Sequence, residues 1–142
     1  MTKKNSGFSL LELLIVVAII LIIATIAIPS LLRSRQAANE SAAVATVRTI
    51  TTAEITYLSS AGGNYGTISQ LVGAGLIDTG FNTTRSGYNY VIITNGADYT
   101  ITADPATPNS GRYAYYSVPD GVVRYTTQTN LAPANMAGNP VG

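Results

Sequence analysis

Glu12 is the one ionisable residue between Phe8 and Leu32, in a stretch that is otherwise almost wholly apolar. A carboxylate there costs about 2.5–3.5 kcal/mol on membrane-insertion scales, so it needs a partner. The polar leader Met1 to Gly7 ends directly before the apolar segment. A cut between Gly7 and Phe8 would create a positive amine one helical turn from Glu12. Locally, Glu12 would also complement the helix N-terminal dipole, worth about 0.3–1 kcal/mol. Three other acids invite attention: Asp98, Asp104 and Asp120 fall at loop ends near one another in a hairpin scheme, and oxygen ligands suit calcium. Their spacing matches no recognisable calcium loop, and ordinary turn aspartates are the preferred reading, with calcium the weaker one.

The rest of the chemical inventory is exclusion. With no His and no Cys, there are no His- or Cys-based metal sites, no Ser–His or Cys–His catalysis and no disulfides. No paired-carboxylate, phosphate-loop or base-stacking constellation stands out, so the chain is not expected to be an enzyme or to need a cofactor. A net charge of +1 with scattered Arg85, Arg112 and Arg124 offers no nucleic-acid footprint. Asn39-Glu40-Ser41 and Asn82-Thr83-Thr84 match the glycosylation acceptor pattern, which is common by chance.

What positions Glu12 is an apolar block. From Leu13 to Ile28, Thr25 is the only polar residue. Extended back to Phe8, the segment would make a helix about 31 Å long, close to the ~30 Å hydrocarbon core of a bilayer. A chain of 142 residues cannot surround such a helix with protein. Lys3 and Lys4 precede it, and Arg33 and Arg35 follow, so basic residues give no decisive orientation. An ordinary secretory signal peptide is the rival reading, but the first Ala-x-Ala site is Ala43-Val44-Ala45, well downstream in continuing helix. Pro29 lacks an amide hydrogen and should kink or loosen the helix.

Beyond Pro29, Ser34 to Ser60 holds neither Gly nor Pro, and Val44, Val47, Ile50, Ala53 and Tyr57 recur on one helical face. Gly62-Gly63 closes it. Thr67-Ile68-Ser69-Gln70 has capping-box spacing before a short helix. Tyr88–Thr94 and Ala97–Ala103 flank Asn95-Gly96, a hairpin signal. Arg112–Val118 and Val122–Thr126 flank Pro119-Asp120-Gly121. The expectation is an α+β fold: a long N-terminal helix whose C-terminal half packs on an antiparallel sheet of three to four strands. Tyr90, Ile92, Ile101 and Val123 are candidates for its buried face. The expected organisation is a leader over 1–7, a helix over 8–60, a head over 61–126 and a flexible or surface-packed tail over 127–142. The tyrosines read mainly as strand formers, with a smaller share left for subunit contacts.

The run Gly7-Phe8-Ser9-Leu10-Leu11-Glu12-Leu13-Leu14-Ile15-Val16-Val17-Ala18 resembles the prepilin signal of type IV pilins and of type II secretion pseudopilins. The match covers residues 1–35, with Glu12 fifth after the Gly7–Phe8 junction and Pro29 where the family often carries proline. The resemblance implies cleavage between Gly7 and Phe8 by a prepilin peptidase and methylation of the Phe8 amine. It implies that Glu12 pairs with the amine of a neighbouring subunit during assembly. It implies self-association into a filament, driven by an inner-membrane platform and an ATPase. The precursor would reside in the inner membrane and the product in an extracellular pilus serving adhesion, twitching motility or DNA uptake. A type II secretion pseudopilin in a periplasmic pseudopilus is the close alternative, and some of those bind calcium in their heads. A membrane-anchored periplasmic binding module is the more distant one.

Overall fold

The computed structural model describes residues 7–127 and 137–142. The chain divides into two compact units, Met1–Ser34 and Arg35–Gly142. One helix, α1, is assigned without a break over Leu10–Ser60, through Pro29.

In the first unit α1 starts with its own cap. The Ser9 N–H donates to Glu12 Oε2 at 2.9 Å, the reach-back half of a capping box. Every large apolar side chain from Leu10 to Leu32 is exposed. Two hydroxyls are satisfied internally: Thr25 donates to the Ile22 carbonyl and Ser34 to that of Ser30.

In the second unit α1 buries Glu40, Ala43, Val47, Ile50, Thr51, Ala53 and Glu54, a stripe with the main steps of three and four that one helical face requires. The opposite face carries Thr49, Thr52, Thr56 and Ser59, each donating its hydroxyl to the carbonyl four residues back. The helix ends in a Schellman-type turn. Gly62 and Gly63 take φ of +66° and +85°, and the Gly63 N–H donates to the Leu58 carbonyl at 3.1 Å. Helix α2, Ile68–Gly73, follows with both halves of the Thr67/Gln70 capping box formed, then a 3-10 turn over Thr79–Asn82 capped by Asp78.

The sheet is antiparallel throughout, in the order β1 (Tyr88–Thr94), β2 (Tyr99–Pro105), β3 (Ala114–Ser117), β4 (Arg124–Thr126), β5 (Asn139–Pro140). Tyr90, Ile92, Ile101 and Val123 are all buried, with Tyr88, Tyr99 and Tyr115 beside them, and they share one core with Ala43, Val47 and Ile50. Five strands replace the expected three to four. The fifth lies in the Pro- and Asn-rich tail, which shows no period-2 pattern. Two residues suffice for pairing at a sheet edge, where proline is tolerated. The remainder of the expected tail, residues 128–136, lies outside the described residues, as does the leader up to residue 6.

Strand ends also moved, because side chains captured backbone donors. Asn95 Oδ1 takes the Asp98 N–H at 2.8 Å, so β2 begins at Tyr99. Glu40 takes the Arg112 N–H, and Asp120 takes the Val122 N–H, which shortens β3 and β4.

Candidate assembly site

The first unit offers a surface and not a pocket. Phe8 is 78% exposed, and the most apolar 18 residues of α1 are wholly unburied. By length and composition this helix can cross a membrane. Glu12 projects from it, engaged only with Ser9 among the described residues. Gly7 is exposed, and no heavy atom of the other described residues lies within 4 Å of where a Cβ would stand. The junction Gly7–Phe8 is thus exposed on both sides.

The three candidate aspartates are not brought together. Asp98 lies in the β1–β2 turn and Asp104 pairs with Asn89 at the far end of β2. Six residue steps along extended chain separate them, about 20 Å at 3.3 Å per step. The β2–β3 register puts the β3–β4 turn, with Asp120, at the Asp98 end. There the two oxygens of Asp120 take Arg124 and the Val122 N–H, and those bonds hold its carboxyl below the usual range, against a smaller push from burial. Among the described residues no three acids cluster as a metal site would require.

Two other glutamates do more than the sequence reading assigned to them. Glu40 is buried and receives three bonds from Arg112: the backbone N–H at 2.7 Å, Nε at 3.0 Å and Nη2 at 2.8 Å. Burial pushes its carboxyl up, but the Arg112 side-chain bonds, its N–H and its charge together outweigh that and hold the pKa below 4.5. The clamp ties α1 to the entry of β3. Glu54 is fully buried, and its Oε2 accepts the Gly66 N–H at 2.9 Å. Its Oε1 has no hydrogen-bond partner among the described residues. Burial raises its pKa, and the Gly66 N–H only partly offsets this. Both acids sit about four turns apart on the buried face of α1, and that phasing with Val47 and Ile50 was the signal available in the sequence.

Asn39, in one of the two acceptor patterns, donates its amide to the Ser110 carbonyl from within α1, whereas Asn82 lies exposed at the end of the 3-10 turn.

A family model described as the prokaryotic N-terminal methylation motif matches residues 2–28. The chain is also 33% identical, over 116 residues, to the type IV wide pilus major component PilA4 of Thermus thermophilus; the match covers 78% of this chain and 88% of that one. No solved structure matches significantly. The chain belongs to the type IV pilin family, whose members are structural subunits and not enzymes.

Proposed function

We propose that this chain is the building subunit of a type IV pilus, cut between Gly7 and Phe8, methylated at Phe8 and polymerised through the first half of α1. The observation that carries the reading is the apolar, unburied half-helix with a single carboxylate, Glu12, one turn after an exposed glycine junction. In water such a surface is untenable. A bilayer covers it before assembly, and the same surface of other copies covers it afterwards. In the precursor Glu12 holds the Ser9 N–H. Removal of the leader sets an amine at Phe8, and Glu12 of an incoming subunit is placed to pair with such an amine on a copy already in the filament. That pair sets the axial register. The similarity to a major pilus component favours a surface pilus over a secretion pseudopilus.

The partners on this reading are a prepilin peptidase, an inner-membrane platform and its ATPase, and the products are filaments serving adhesion, movement or DNA uptake. The test is to shear cells, image the released fibres and weigh their subunit. A subunit lacking residues 1–7 and carrying one added methyl group supports the reading. Full-length, membrane-bound monomer without fibres defeats it. Glu12→Ala should leave the leader cut intact while fibre recovery collapses.

A further inference from the structure

Strand β1 is the edge of the sheet, and among the described residues only Arg85 pairs with its outer side. The exchange of backbone bonds between Arg85 and Tyr88, at 2.9 and 3.0 Å, shows that the Tyr88 N–H and C=O point away from β2. By alternation, those of Tyr90, Ile92 and Thr94 point the same way. Beyond Arg85, no strand among the described residues pairs with that side. Natural edges are blunted by lysine, proline, bulges or inward charges. The seven residues Tyr-Asn-Tyr-Val-Ile-Ile-Thr contain no charge, no proline and no glycine.

The outward side chains add an apolar strip. Val91 is 48% and Ile93 66% exposed, beside Thr102 and Thr100 of β2 in the register. Among the described residues of the second unit the other exposed large apolar ones are Ile55 and Val122.

We propose that the open edge of β1, with Val91 and Ile93, is a head-to-head contact with a second copy of this chain inside the filament. The inference rests on the filament reading above. Two features select a copy as the occupant. A polymer of one subunit surrounds every head with identical heads, and a helical contact joins different patches on the two copies, so the strip need not be self-complementary. The strip is also far smaller than the ~800 Å² per partner of a stable isolated pair. It therefore leaves free subunits apart and closes only where polymerisation already holds copies side by side.

The chain has no cysteine, so Ile93→Cys supplies a single thiol. In sheared filaments a maleimide dye should fail to label it, whereas the same filaments dispersed in detergent should label fully. Equal labelling in both states overturns the contact. Protection already present in membranes of a strain unable to polymerise also overturns it, because another partner would then cover the strip. Ile93→Lys should lower fibre recovery about tenfold, the counterpart of about 1.4 kcal/mol, with the membrane pool of cleaved subunit unchanged. Undiminished recovery overturns the contact as well. Absence of fibres from the unsubstituted chain would instead defeat the filament reading itself.

Discussion

Glu40 and Glu54 share one face of α1 but respond to pH in opposite senses. Glu40, held below 4.5, binds fewer protons folded than unfolded; its contribution is present above that value and is lost as pH falls through its folded pKa. Glu54, raised by burial, binds more protons folded; the fold loses stability as pH rises from about 4.5 through its folded pKa. Glu54→Gln removes this penalty while keeping an acceptor for the Gly66 N–H. The variant should melt at higher temperature than the parent at neutral pH, and the gap should close at pH 4 and below. Melting curves of detergent-solubilised chain across pH decide it. Gly111 is a second sensitive point. A Cβ there would collide with the Tyr88 hydroxyl, which is buried and donates to the Tyr113 carbonyl at 2.8 Å. The ring cannot swing aside without losing that bond, so Gly111→Ala should cost about 1–3 kcal/mol in denaturant unfolding.

Helix α2 is six residues long and too short to hold by propensity alone. Its Thr67 hydroxyl accepts the Gln70 N–H, and Gln70 Oε1 accepts the Thr67 N–H. Thr67→Ala should cost about 1 kcal/mol, seen as a lower unfolding midpoint with an unchanged slope. This element was legible because a capping box is local: four consecutive residues carry the whole signal. The buried face of α1 was legible for the same reason, since a 3.6-residue period needs only its own helix. Strand ends were not legible, because Arg112 lost its ladder position to Glu40, seventy-two residues earlier. The fifth strand was hidden because its pairing with β4 involves backbone groups, and backbone groups leave no mark on side-chain pattern. The aspartates looked adjacent in a hairpin diagram that ignored the length of β2. Glu12, Gly7 and Phe8 stood out because the chemistry proposed for them depends on order along the chain rather than on folding.

Charged residues form only 11% of the chain, and loss of residues 1–7 would remove both lysines, leaving six arginines against seven acids. Copies with so little net charge repel one another weakly. Raising salt to about 1 M, where the Debye length is near 3 Å, should therefore leave fibre recovery unchanged. Dissolution of the fibres at that salt would show that exposed ion pairs hold the subunits together. The hydroxyls along α1 bear on the proposed passage from membrane to polymer. Thr25, Ser34, Thr49, Thr52, Thr56 and Ser59 each spend their proton on a carbonyl of their own helix. A side chain satisfied in this way asks nothing of lipid, water or a neighbouring subunit. On that reading the first half of α1, with Thr25 and Ser34, changes solvent without exchanging either of its hydroxyl bonds, and the work of extraction falls on its apolar surface and on Glu12.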